Sequence, residues 1–148
     1  MAKSNRNIRR PATLKRIGLH YHKKFKGINT CVYCGEPASG RDHVLAVSIA
    51  GGLDLNNPQI RKHLTRCLCT VPCCTSCNTT AGNELFYTIL SKRKYIQQEL
   101  RRKNLKLLRS KLWSSDELEE VGDNFKSSIL SAQFKRFRLE KRIYYPFT

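Results

Sequence analysis

Two pairs of cysteines, Cys31-Val-Tyr-Cys34 and Cys74-Thr-Ser-Cys77, share the C-x-x-C spacing about forty residues apart, and Gly35 follows the first pair at the turn. Four thiolates in two such knuckles make a closed tetrahedral Zn²⁺ site, with Zn–S bonds of about 2.3 Å and no open position for chemistry. The expected zinc is therefore structural. Asp42 and His43 lie eight and nine residues beyond Cys34, and Asn78 follows Cys77 directly. Clamping the knuckles together brings these three side chains to one place. A carboxylate and an amide oxygen suit a hard cation such as Mg²⁺ or Mn²⁺, which keeps several waters and binds phosphate oxygens. An imidazole with an ordinary pKa of about 6.5 takes a proton from water near neutral pH. A base for water and a metal to stabilise charge are the parts that phosphodiester hydrolysis needs.

Charge points to the same partner. The 148-residue chain carries 28 Lys and Arg against 11 Asp and Glu, a formal net charge of +17. A chain this small with that charge repels itself unless a polyanion offsets it, and nucleic acid is the leading candidate. The longest apolar runs, such as Val44-Leu45-Ala46-Val47, fall far short of the roughly 20 residues that span a bilayer, so no membrane helix is expected. The basic residues Lys3, Arg6, Arg9 and Arg10 are followed by Pro11, Lys15 and Arg16 rather than by an apolar stretch. That argues against a secretory signal, and a cytoplasmic protein is expected. Seven cysteines, an odd number, in a reducing compartment argue for metal binding over a disulfide scaffold.

Three stretches must position these groups, and together they predict an α+β fold. Residues 1–26 hold nine Lys and Arg and no acid, and read as a basic arm. Residues 27–83 hold all seven cysteines, six of eight glycines and three of five prolines, which suits short strands and metal-held loops. Residues 84–148 read as a basic helical extension packing on that core. From Glu84 onward Leu85, Ile89, Ile96, Leu100, Leu107 and Leu108 recur near a 3.6 period. Ser114-Ser115-Asp116-Glu117 has the form of a capping box, and a last helix runs through Phe134, Phe137 and Leu139 before Pro146.

Taken together, Cys31-x-x-Cys34, Asp42-His43-Val44, Gly51-Gly52 and Val71-Pro72-Cys73-Cys74-x-x-Cys77-Asn78-x-x-x-Gly82 resemble the zinc-stapled branch of the HNH endonucleases. With Asn as its final ligand, the motif is similar to that of phage endonucleases that resolve branched DNA. The resemblance covers residues 31–82. It implies a ββα-metal motif, a hairpin whose first strand carries Asp42-His43 and a helix that carries Asn78. It also implies His43 as general base, Asp42 and Asn78 as ligands of the catalytic ion, zinc on the four cysteines, and double-stranded or branched DNA as partner in a bacterial or phage-infected cell. A middle Asn that holds the hairpin loop and orients the His falls at Asn56 or Asn57, and Asn57 is the choice. Residues 58–70 read as an insertion before the strand resumes at Val71. The chain departs from the pattern at Ala46, where a Pro often stands, and at Thr79-Thr80-Ala81, which lack a basic residue often found there.

Other groups are weighed against bland alternatives. His63, Cys67, Cys69 and Cys73 can hold a second zinc, but they crowd one short segment, and small buried hydrophobes are the preferred reading. His20 and His22 read as solvated or phosphate-contacting. The stretch from Lys92-Arg93-Lys94 through Arg101 and Arg102 to Lys111 adds nine cations against the single acid Glu99, and reads as a phosphate-tracking surface. Tyr87, Tyr95, Tyr144 and Tyr145 can stack on bases, but aromatic residues at helical spacing are more often core, and no role is assigned to them. Two functions stay in play: a metal-dependent DNA endonuclease, and a non-catalytic zinc-ribbon module that binds nucleic acid. A homodimer is left open.

Overall fold

The computed structural model describes residues 20–146, and within them the fold is α+β. Lys3, Arg6, Arg9, Arg10, Lys15 and Arg16 of the basic arm lie outside the described residues. Three strands form one small sheet in the order β1 (His22–Lys23), β3 (Cys69–Cys73), β2 (Gly40–His43). The antiparallel pair β2–β3 sets Asp42 opposite Val71 and His43 opposite Thr70. In the central strand β3 every residue but Thr70 is buried. Pro72 lacks an N–H to donate, but it falls past the end of β1, whose parallel pairing stops at Thr70.

Between β2 and β3 the chain makes an excursion through α1 (Val47–Ala50) and α2 (Pro58–Cys67). Asn57 and Pro58 start α2: the Asn57 side chain accepts from the Gln59 N–H at 2.9 Å, and proline fits the first helical position. The expected insertion is thus a capped helix that covers a satellite core of Leu45, Ala50, Leu64, Cys67 and Leu68. Strand β3 leads into α3 (Thr75–Ala81), completing a ββα unit.

The helical extension begins later than the apolar period suggests. Its first helix, α4 (Ile89–Lys103), starts at an N-cap of Thr88, whose hydroxyl accepts from the Ser91 N–H at 3.0 Å, and Leu85 lies exposed in the preceding loop. Asn104 ends α4, and α5 (Leu105–Leu108) follows. The capping box at Ser114 has both of its hydrogen bonds and starts α6 (Ser115–Glu119). The last helix is α7 (Asp123–Ile143). Phe134 and Phe137 are exposed on it, whereas Leu139 and Ile143 are buried. Ile96 and Leu100 of α4 and Leu139 and Ile143 of α7 share one core with Cys31, Cys34, Cys74 and Cys77. The helices therefore complete the core that the cysteines occupy. Among the described residues no helix is long and apolar enough to cross a membrane.

Candidate metal centre and active site

The first knuckle turns at Gly35, whose φ of +75° is in the left-handed region and whose N–H donates to the Cys31 carbonyl at 2.9 Å. A Cβ there would come within 2.6 Å of the Tyr145 ring, so glycine is required twice over. The second knuckle is the start of α3: Cys74 is its N-cap, and its sulfur accepts the Cys77 N–H at 3.4 Å. All four sulfurs lie within 4.8 Å of one another and all four residues are buried. Tetrahedral bonds of about 2.3 Å imply sulfur–sulfur edges of about 3.8 Å, and Cys34 Sγ and Cys74 Sγ are 3.7 Å apart. Hydrogen bonds from Cys34, Cys73 and Cys77 push Cys31 far below its ordinary pKa. The same contact with Cys31 pushes Cys34 up to about 12 and Cys77 far above its usual range. A cation among them lets all four ionise together. The four cysteines are positioned to hold a metal ion, and the all-sulfur donor set fits structural zinc.

The cleft beside this centre measures about 430 Å³, and its lining includes Asp42, His43, Ser48, Asn78 and Asn83. Strand β2 supplies Asp42 and His43, and α3 supplies Asn78 one residue after a sulfur ligand. Asp42 is buried, and its Oδ2 receives two donors: the Tyr33 hydroxyl at 2.7 Å and the Lys92 ammonium at 2.7 Å. Lys92 is only 1 % exposed and also donates to the His43 carbonyl at 2.8 Å. An ammonium buried this deeply needs such partners, because stripping it of water costs several kcal/mol on the order seen for buried ions. The His43 ring meets the edge of Tyr21 with centroids 4.5 Å apart and planes at 82°. Tyr21 is itself held by its hydroxyl on the Leu45 carbonyl at 2.7 Å. Burial lowers the His43 pKa, and the Lys92 charge adds to that, against an opposing pull from Asp42. The imidazole is thereby kept in the neutral form that accepts a proton. With Oδ2 occupied, Asp42 can give a cation one oxygen and Asn78 can give another. Two oxygen ligands in an open cleft fit a divalent ion that keeps most of its waters.

Asn57 is not among the residues lining the cleft. It is exposed and its side chain is used to cap α2. The phosphate-tracking stretch divides. Lys92 faces inward and cannot reach a surface phosphate, which corrects its expected role. Arg93 is half-buried and donates to the Val32 carbonyl at 2.9 Å, and it lies over the Tyr145 ring. Lys94, Arg101 and Arg102 are exposed, with Arg102 paired to Glu99 at 2.8 Å and Arg101 over Tyr144. Among the described residues the only group of three or more Cys, His, Asp or Glu placed to share a metal ion is the four-cysteine one. Cys67 bonds the Leu64 carbonyl instead, Cys73 bonds the Cys74 carbonyl, and His63 leans on Tyr87.

Tyr33 and Tyr21 are the site residues that sequence reasoning missed, and Lys92 is one that it placed on the surface. Lys92 carried a signal: it precedes Ile96 by four and Leu100 by eight, on the stripe that the helix buries. Tyr21 falls inside the expected basic arm, whose described end pairs with β3 and joins the site. Comparison with protein-family models, curated proteins and solved structures finds no match, so the chemistry of the cleft rests on these residues alone.

Proposed function

We propose that this chain is a metal-dependent DNA endonuclease that hydrolyses phosphodiester bonds in the cytoplasm, with zinc on its four cysteines as a staple. The observation that carries the reading is the convergence of Asp42, His43 and Asn78 on one cleft beside the sulfur cluster. His43 accepts the proton of the attacking water. Asp42 and Asn78 would hold Mg²⁺ or Mn²⁺, which would supply charge stabilisation at the phosphate and the leaving oxygen. Lys92 and Tyr33 hold the Asp42 carboxylate in one orientation, and Tyr21 holds the ring of His43. Duplex or branched DNA is the substrate, drawn in by the net charge of +17.

A second reading, a non-catalytic zinc-ribbon module that binds nucleic acid, is favoured by the Asp42–Lys92 pair, which gives the carboxylate a structural partner of its own. Nicking of supercoiled plasmid with and without Mg²⁺ separates the two. His43→Ala is expected to lower the nicking rate by about 10²- to 10⁴-fold while zinc content and DNA affinity hold. Wild-type nicking by His43→Ala, or none by the parent chain with Mg²⁺ or Mn²⁺, favours the binding module.

A further inference from the structure

A second concavity, of about 550 Å³, is lined by Ser76 of α3, Lys103 at the end of α4, and Lys135, Arg138 and Arg142 of α7. Ser76 and Asn78 are two residues apart, about 200° around the helix at 3.6 residues per turn, so α3 separates this groove from the cleft. Its one carboxylate, Glu36, is already paired with Arg138 at 2.8 Å. Arg142 donates to the Ser76 hydroxyl at 2.8 Å and approaches the Cys77 sulfur at 3.9 Å, which ties the groove to the metal centre.

Glu36 answers Arg138 and the Cys77 sulfur faces Arg142, so Lys103 and Lys135 are the two cations of the groove that no carboxylate of its lining offsets, and an added anion relieves their repulsion. We infer that this groove is a second nucleic-acid site, separate from the cleft, that takes the sugar-phosphate backbone of duplex DNA. The spacing argues for a polyanion rather than a single phosphate. Lys135, Arg138 and Arg142 are three and four residues apart, so they share one face of α7 and span about 10 Å at 1.5 Å per residue. One strand of B-DNA presents a charge about every 3.4 Å of axis, or about three over that length. No aromatic residue lines the groove, so there is nothing for an unstacked base to lie against. A helix with its side chains is about 10–12 Å across, so a strand held here runs within a few phosphates of the cleft.

The inference concerns binding and does not depend on whether the cleft cuts. Its test is the salt dependence of affinity for a short duplex of arbitrary sequence, measured on the full zinc-loaded chain without added Mg²⁺. Lys103→Gln with Lys135→Gln is expected to lower the log–log slope by about 1.8, at about 0.9 per contact, with zinc content and thermal midpoint unchanged. Arg142 is left intact in this test because it touches Cys77. Glu36→Gln, which removes the only carboxylate and frees Arg138, is expected to tighten binding. As a control, Lys62→Gln with Lys126→Gln removes two charges outside the groove and should lower the slope by less than the groove pair. An unchanged slope in the groove pair, or an equal loss in the control pair, overturns the site in favour of diffuse charge. A slope lost in a chain whose parent never nicks plasmid keeps this inference and removes the nuclease reading. Efficient nicking with an unmoved slope does the reverse.

Discussion

The sulfur centre and the cleft are neighbours on the same helix, yet they are built on opposite plans. At the centre four buried cysteines point at one another, and what a metal would receive is complete and closed. At the cleft the only carboxylate is already spoken for on one oxygen by Tyr33 and Lys92, and the remaining donors face open space. A closed site gives its binding energy to folding, and an open one keeps coordination positions for substrate and water. The contrast teaches that one short element, α3, serves both: Cys74 and Cys77 anchor it, and Asn78 inherits a fixed position from the sulfur next to it.

The largest expected effect comes from breaking the closed site. Structural zinc in small domains contributes apparent binding free energies of about 10–16 kcal/mol at pH 7. Chelation, or Cys77→Ser, is expected to unfold the sheet and to take α4 and α7 with it, since Ile96, Leu100, Leu139 and Ile143 pack in the same cluster as the cysteines. The measurement is far-UV circular dichroism with zinc analysis across a chelator titration. Helical signal that persists after the metal is gone would mean that the helices stand by themselves and that the shared core is weaker than its packing implies.

A smaller effect separates the open site from the closed one. Lys92→Met leaves the Asp42 carboxylate buried beside an alkyl chain, and removing one partner of a buried pair costs about 3–5 kcal/mol. Adding Asp42→Asn removes the stranded charge, so the double variant is expected to recover much of that loss in chemical denaturation. Zinc content should hold in both. Equal stability for Lys92→Met and the parent would show that the pair contributes nothing net and is an accident of packing.

The two regions also differed in how far they were legible beforehand. C-x-x-C spacing is local chemistry with one dominant outcome, and the adjacency of Cys77 and Asn78 carries it into the cleft. The capping box at Ser114 was legible for the same reason, because its signals lie within a few residues of each other, whereas the ββα unit was expected only from the resemblance. What escaped depends on distant chain meeting in space. β1 is two residues long and exists because Cys69 and Thr70 offer it an edge. Lys92 lies in a run of three cations that reads as a phosphate-tracking surface until α4 is docked, when its register with Ile96 puts it beside Asp42. Phe134 and Phe137 fall on the last helix as expected, but on its exposed side, 61 % and 53 % exposed.

The smallest effect concerns Asn57, where the motif and the structure assign different work. If Asn57 oriented His43, losing its amide would slow cleavage whatever replaced it. As the N-cap of α2 it needs only a short side-chain oxygen to accept from the Gln59 and Ile60 N–H groups, at 2.9 and 3.4 Å. Asn and Ser are near-equal caps, whereas Ala costs about 1 kcal/mol. Asn57→Ser is therefore expected to keep both stability and nicking rate, and Asn57→Ala to lose about 1 kcal/mol of stability with the nicking rate unchanged under conditions where the chain stays folded. Thermal unfolding and plasmid nicking, run on the same two variants, read the two roles separately. A drop in nicking in Asn57→Ser without loss of stability would return Asn57 to the active site and would require the α2 start to close over His43 when DNA binds.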